Sequence, residues 1–290
     1  MAKPYSGPPP ILVGYDASDD AVRALEYASW VAANRKAMLQ LVYVADETVA
    51  KSGWGLVSDG TDVQNNARRL LAEAAAVAHG YGVAKKRIRT KVALGTPVGV
   101  LTQLSNDCSA VVVGSHAGSV GTRRFSGSTA VGLAASVRCP LVVVSDSDGV
   151  DPSLPIGVAL DTDGSSTLAL DWVLGNPLFA GVPLKVVSVC KSPQSRVFRS
   201  AVSQQQIEAA IAATAAAQSA MVAGVVARYP DAPTIATEVR YGSPVDELCT
   251  FGEGVSMLVL QADIRFPTYS VGGVIRGTMA YAQCPVVLVK

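Results

Sequence analysis

The chain has 290 residues, of which 49% are hydrophobic and 16% are charged. This composition excludes an intrinsically disordered chain, and the length fits two domains of ordinary size. The formal net charge is only +1, so the composition gives no sign of a nucleic-acid partner or of an anionic membrane partner.

The first half of the chain predicts an alternation of strands and helices. Residues 11–15 have the length and composition of a buried strand, and Ser18 can cap the helix that follows. A polar loop precedes a helix at about residues 62–79, and the alternating residues 88–92 predict an edge strand. The remaining elements predicted for this half are strands at 39–44, 110–113 and 141–144 and helices that begin after Pro97 and after Ser128.

The second half repeats this order. The strand that ends in Asp16 returns as a strand that ends in Asp161, and Cys139-Pro140 returns as Cys284-Pro285, both at an offset of 145 (161 − 16 and 284 − 139). Such self-similarity indicates two copies of one folding unit. The predicted strands of this copy are 156–160, 185–189, 235–239, 257–260 and 286–289, and its helices include 165–174 and the alanine-rich stretch 203–229.

The domain limits and the cellular compartment follow from local composition. Residues 1–10 are proline-rich and lack the apolar stretch of a signal peptide, which predicts a flexible N-terminal arm. A polar linker at about 145–152 predicts a first domain at 11–147 and a second domain at 148–290.

Five cysteines without a CxxC motif predict reduced, buried thiols in a cytoplasmic protein. No apolar run approaches the ~18 residues of a membrane span, so we expect no membrane partner, and two histidines are too few for a His-rich metal site.

Alternating strands and helices predict the α/β class, with two tandem, doubly wound domains. Each domain should hold a parallel sheet that is flanked by helices. Right-handed crossovers that reverse direction place a crevice at the carboxyl ends of the first and fourth strands, where ligands of such folds usually bind.

A glycine-rich stretch follows the fourth strand of the first half. Residues 114–128, here called the phosphate loop, read GSHAGSVGTRRFSGS and end where the next helix begins. Glycine lets the backbone approach a ligand closely, and the free amides at a helix start attract anions. Ser128 adds a hydroxyl donor, and Arg123 and Arg124 add positive charge, so the stretch can hold a polyphosphate. It is not a Walker loop, because the chain has no GxxxxGK[ST], and the turn after the first strand has no dinucleotide fingerprint.

With these features the chain resembles the universal stress protein family in its tandem two-domain form. The ATP-binding members of that family carry G-x2-G-x9-G-[ST], which Gly114, Gly127 and Ser128 match in register. Ala117 stands at the second glycine of the motif, and Gly118 follows it. The resemblance implies five parallel strands per domain in the order 3-2-1-4-5, and ATP in the first domain, often accompanied by Mg²⁺.

The resemblance also implies roles for particular residues. Asp16 would lie against the base and ribose of the nucleotide, and Val44 would contact adenine, partly through its backbone. The residues that would line the ribose and phosphates are Gly114, Ala117, Gly118, Gly127, Ser128 and Thr129. No catalytic residue is implied, and no protein cage for the divalent ion is required.

The second half departs from this motif. Gly272 matches its last glycine, but Gln261 replaces the first glycine, Ile264 the second, and Gly273 the serine. Asp263 places a negative charge where phosphates would lie. We therefore expect the second domain to bind nucleotide weakly or not at all.

The last strand of each half is apolar and is predicted to lie at a sheet edge, which is an aggregation hazard unless the edge is paired. The resemblance implies that the two strands pair with each other across a pseudo-twofold axis, as an intramolecular pseudo-dimer. A homodimer of whole chains is allowed but not required.

Three functions stay open from the sequence. The favoured hypothesis is a stress-response or growth-regulating protein that holds ATP in its first domain. A slow ATPase is less favoured, because the chain shows no obvious general base and no Walker carboxylate. The third is a nucleotide-independent scaffold or interaction protein, which the alanine at position 117 motivates.

Overall fold

A computed structural model describes residues 9–45, 60–115, 128–145, 151–162, 167–191, 203–262 and 271–290. The described residues divide into two compact units, the first within residues 9–145 and the second within residues 151–290.

The first unit is a five-stranded parallel sheet flanked by helices. Its strands are β1 (Ile11–Gly14), β2 (Leu39–Ala45), β3 (Ile88–Leu94), β4 (Ala110–Gly114) and β5 (Leu141–Val144). Its helices are α1 (Asp19–Arg35), α2 (Gly60–Gly80), α3 (Pro97–Ser105) and α4 (Ser128–Ser136), with a 3-10 turn at Lys85–Arg87. The strands pair in the order β3-β2-β1-β4-β5, and every pair is parallel, which confirms the predicted order.

The second unit repeats this arrangement. Its strands are β6 (Ile156–Ala159), β7 (Leu184–Lys191), β8 (Ile235–Gly242), β9 (Met257–Gln261) and β10 (Val286–Val289). Its helices are α5 (Leu168–Leu174), α6 (Gln204–Val226), α7 (Pro244–Gly252) and α8 (Gly273–Tyr281), with a 3-10 turn at Pro177–Phe179. The order is β8-β7-β6-β9-β10, again with parallel pairs throughout.

Burial follows the position of each strand in its sheet. The first three residues of β1 and the first four of β9 are buried, as the continuous apolar runs predict. In β3, at one end of the strand order, no residue is fully buried and four are exposed. Strand β3, whose sequence alternates, is thus an edge strand, as predicted.

Short polar side chains fix where the helices beside the crevice begin. The Ser18 hydroxyl accepts a hydrogen bond from the amide of Ala21 at 3.3 Å, which confirms Ser18 as the cap of α1. Thr96 caps α3 in the same way through the amide of Gly99 at 3.3 Å. Pro97 takes the first helical position, where its missing N–H has no intrahelical partner to lose.

Helix α6 corrects the expectation that no segment approaches the length of a membrane span. Judged by length and composition alone, α6 is long and apolar enough to cross a membrane, and it is the one such helix among the described residues. The expectation failed because alanine, rather than a run of large apolar side chains, makes this helix apolar. Only Gln218, Val222 and Val225 of the helix are buried, and the Gln218 amide donates to the Val186 carbonyl of β7 at 3.3 Å.

The cysteines are less buried than the sequence predicts. All five are free thiols, but only Cys284 is buried and the other four are half-buried. Burial raises the pKa of the Cys108 thiol to about 11, and the neighbouring Cys139 and Asp107 add to this rise. Burial likewise raises the pKa of Cys284 to about 12. Cys108 and Cys284 are therefore protonated, and weak nucleophiles, at neutral pH.

A contact between glycine and valine sets the spacing of the last two helices in each unit. A Cβ atom on Gly132 of α4 would lie 2.6 Å from Cγ2 of Val98 in α3. A Cβ atom on Gly277 of α8 would lie 2.7 Å from Cγ1 of Val245 in α7. Such atoms do not approach within 3.0 Å, so only glycine permits these helices to lie so close together.

We expect Gly132→Ala to lower the free energy of unfolding by about 1–3 kcal/mol, because the added methyl group must push α3 away from α4. The matched control is Gly224→Ala in α6, where an added Cβ meets no atom within 4 Å. There the higher helix propensity of alanine should raise the free energy of unfolding by about 0.5–1 kcal/mol. Denaturant unfolding of both variants measures the difference, and a shift of the same sign in both would contradict the contact.

Candidate functional site

A crevice opens at the carboxyl ends of β1, β2 and β4 in the first unit. It encloses about 600 Å³ of empty space, some of it open to solvent. The crevice is at the end of the sheet where doubly wound folds hold their ligands.

Asp16 stands exposed at the rim of the crevice, two residues after β1 ends. Its Oδ1 atom accepts hydrogen bonds from the Ser18 amide at 3.0 Å and from the Ser18 hydroxyl at 2.6 Å. These bonds orient the carboxylate and close a local turn ahead of α1. A carboxylate held at a rim in this way is an acceptor for hydroxyl or amino groups of a ligand.

The turn that carries Asp16 is strained at Ala17. Ala17 has a φ of 64°, in the left-handed region that favours glycine. An L-residue in that region costs about 1–2 kcal/mol. Such strain persists only where the surrounding structure fixes the conformation, as the two bonds from Ser18 to Asp16 do here.

Apolar side chains form the wall of the crevice. Val42 and Val44 come from β2, Leu101 from α3 and Val113 from β4. Helix α3 reaches this close because Gly14 has no side chain, since a Cβ atom there would lie 2.9 Å from Cδ1 of Leu101. The wall suits an apolar ring, and the rim beside it offers polar partners.

The far side of the crevice is the start of a helix. Helix α4 begins at Ser128, and Thr129 and Ala130 line the crevice together with Gly114 at the end of β4. The first amides of a helix lack intrahelical partners, and the helix dipole is positive at this end. This side of the crevice therefore attracts anions.

The structure brings several of the predicted site residues together. Asp16, Val44, Gly114 and Thr129 all line this one crevice. Ser128 begins the helix on which Thr129 lies. The remaining predicted residues, Ala117, Gly118 and Gly127, lie outside the described residues, as do Arg123 and Arg124.

Sequence reasoning missed Tyr15, Pro97 and Leu101, which also line the crevice. Burial raises the pKa of Tyr15, and the negative charges of Glu73 and Asp16 raise it further, so the phenol is a neutral hydrogen-bond donor at pH 7. A signal existed for Tyr15, which directly precedes Asp16 at the strand end, and for Pro97, which begins a helix at that end of the sheet. Leu101 gave no signal, because its spacing matches that of a core residue.

The corresponding end of the second unit has different chemistry. Asp161 is exposed after β6, as Asp16 is after β1. Gln261 ends β9, at the position that Gly114 holds in β4. Helix α8 begins with Gly272 at its N-cap, which makes no side-chain capping bond.

Comparison with known proteins gives matches along most of the chain. The family model described as the universal stress protein family matches residues 9–145 and, a second time, residues 154–290. Universal stress protein Rv2005c of Mycobacterium tuberculosis is 25% identical over 298 residues, which cover 97% of this chain and 96% of that protein. Universal stress protein Rv2028c of the same organism is 28% identical over 271 residues, which cover 88% of this chain and 86% of that protein.

A solved structure has the same fold. The crystal structure of a universal stress protein from Archaeoglobus fulgidus superposes with a TM-score of 0.67 at 15% sequence identity. The match covers 97% of this chain and 96% of that one, so the fold is shared along both halves.

We expect Ala17→Gly to raise the free energy of unfolding by up to about 1 kcal/mol, because relief of the left-handed conformation outweighs the added freedom of the unfolded chain. The control is Ala72→Gly at an exposed position of α2, which should lose about 1 kcal/mol of helix stability. Denaturant midpoints of the two variants test this pair. A loss at position 17 as large as that at position 72 would show that Ala17 is not strained.

Proposed function

The chain belongs to the universal stress protein family, and from that premise we propose that its first domain binds ATP and thereby controls a stress or growth response. One observation carries the proposal. A polar rim at Asp16, an apolar wall and the start of α4 converge on a single crevice at the ligand-binding end of the sheet.

The wall and the rim account for the nucleoside. A purine ring lies against Val44 and the side chains beside it, where it exchanges water for apolar contact. Asp16 accepts hydrogen bonds from the ribose hydroxyls. Because its bonds from Ser18 already fix the carboxylate, ligand binding costs no further conformational entropy at this side chain.

The start of α4 accounts for the phosphates. Ser128 and Thr129 lie in its first turn, and the amides of that turn face the negative charge. In the proposal, Ala117, Gly118 and Gly127 complete the lining. Among the residues that the structure describes, no three Asp, Glu, His or Cys side chains cluster to hold a metal ion. In the proposal, Mg²⁺ is held chiefly by the phosphates and water, as is usual for this ion beside a triphosphate.

We propose that the second domain does not share this activity. Gln261 places a long side chain where the first domain has Gly114, and α8 starts with Gly273 and Val274 where α4 starts with Ser128 and Thr129. The anion-attracting end thus loses its hydroxyl donors. A whole chain should hold one nucleotide.

Titration calorimetry with ATP and Mg²⁺ should give one site per chain. We expect Asp16→Ala to weaken binding at least about tenfold, because it removes a charged hydrogen-bond acceptor. Gly127→Glu should abolish binding, because it places bulk and negative charge at the phosphates.

The duplication supplies matched controls for both variants. Asp161→Ala and Gly272→Glu make the same changes in the second domain, and an added Cβ at Gly272 meets no atom within 4 Å. Both should leave ATP affinity unchanged. Wild-type protein that binds no nucleotide would point instead to a nucleotide-independent scaffold. Losses of equal size in the two domains would contradict the assignment of the site to the first domain.

The tandem organisation also supports the proposal that the two domains pair through β5 and β10 as an intramolecular pseudo-dimer. Both strands consist of valine and leucine alone, and edges of that kind aggregate when they are left open. We expect slow hydrogen exchange at the amides of β5 and β10 that do not bond to β4 and β9. Fast exchange at these amides would contradict the pairing.

The free thiols support a cytoplasmic location for the protein. All five cysteines are unbridged, as is usual in a reducing compartment.

A further inference from the structure

Asp20 is a buried carboxylate in the first turn of α1, with 8% of its surface exposed. Its Oδ2 atom accepts a hydrogen bond from the Ser115 hydroxyl at 2.9 Å, and Oδ1 accepts one from Nη1 of Arg23 at 2.8 Å. A carboxylate removed from water is costly unless it is paired and hydrogen-bonded. Separating Asp20 from Ser115 would leave the buried carboxylate with one hydrogen bond fewer, so these contacts hold the two residues together.

The main chains of the two segments also touch. A Cβ atom on Gly114 would lie 2.6 Å from Cβ of Asp20 and 2.7 Å from its carbonyl carbon. On the other side, the Ser115 amide donates to the Val144 carbonyl of β5 at 2.9 Å. Ser115 is fully buried, so α1 holds its side chain while β5 holds its main chain. It is the residue at which the chain leaves β4 for the rest of the predicted phosphate loop.

The second half of the chain lacks every member of this arrangement. Strand one and strand four pair in the same register in both units, which aligns Gln261 with Gly114 and Ala262 with Ser115. The sequence offset of 145 pairs Ser165 with Asp20 and Leu168 with Arg23. The half without a glycine-rich loop is thus also the half without the buried carboxylate and its partner.

We propose that Asp20 is a positioning residue for the nucleotide, which acts by fixing Ser115 and so the point from which the phosphate loop begins. The inference rests on the proposed ATP site. Asp20 is not among the described residues that line the crevice, so it acts through Ser115 and not on the ligand itself. Because Asp20 acts only at the phosphate end of the site, the affinity for ATP should depend on it, whereas the affinity for adenosine should not.

The test compares ATP with adenosine by calorimetry in four variants: Asp20→Ala, Ser115→Ala, the double variant and Asp19→Ala. Asp19 is the matched control, because it is an exposed acid in the same helical turn and its removal changes the net charge equally. We expect about tenfold weaker ATP binding in each of the first two variants and no further loss in the double variant. Adenosine affinity should stay within about twofold throughout, and Asp19→Ala should bind ATP as the wild type does.

Equal losses for ATP and adenosine would mean general destabilisation and would overturn the proposal, as would additive losses in the double variant. A second measurement needs no nucleotide: the rate of hydrogen exchange at the Ser115 amide, which donates to the Val144 carbonyl. We expect faster exchange in Asp20→Ala but not in Asp19→Ala. If the wild type binds no nucleotide, the proposed function fails while this measurement still decides whether Asp20 anchors Ser115, and unchanged exchange rejects the anchor.

Discussion

The first turn of α1 and the end of β4 lie in backbone contact, because Gly114 puts no side chain between them. This one approach joins the two elements on which the crevice depends. Helix α1 begins at the turn that presents Asp16, and β4 ends where the phosphate loop begins. Gly14 has a similar role on the neighbouring strand β1, where it lets Leu101 of α3 reach the wall. The shape of the site thus depends largely on two glycines, Gly14 and Gly114, whose lack of a side chain lets neighbouring elements approach.

The sequence was sufficient for the fold because its signals were local and repeated. Continuous apolar runs marked the central strands, Ser18 and Pro97 marked helix starts, and the second copy repeats the same order of strands and helices. The failures had physical causes as well. Helix α6 is apolar through alanine, which forms no obvious run of large side chains. The four half-buried cysteines lie in segments whose apolar composition predicted complete burial.

The candidate site was only partly predictable. Asp16 and Thr129 could be named because the resemblance to the universal stress protein family implies roles for the end of the first strand and for the start of the helix after the fourth. Leu101 could not, since a residue of a helix that faces a crevice has the same spacing as one that faces the core. The bond from Ser115 to Asp20 joins residues 95 positions apart, and nothing in either local sequence predicts that they meet. Long-range polar pairs of this kind require the three-dimensional structure.

The glycine–valine contact recurs in α3–α4 and α7–α8, although the loops that precede α4 and α8 differ in sequence. Both halves have kept the spacing of these helices, at Gly132 and at Gly277, while the loops that precede α4 and α8 have diverged. The packing of these helices is thus independent of the ligand chemistry beside it, because the same glycine contact occurs with either loop sequence. A change of residues in the loop therefore need not alter how the two helices pack.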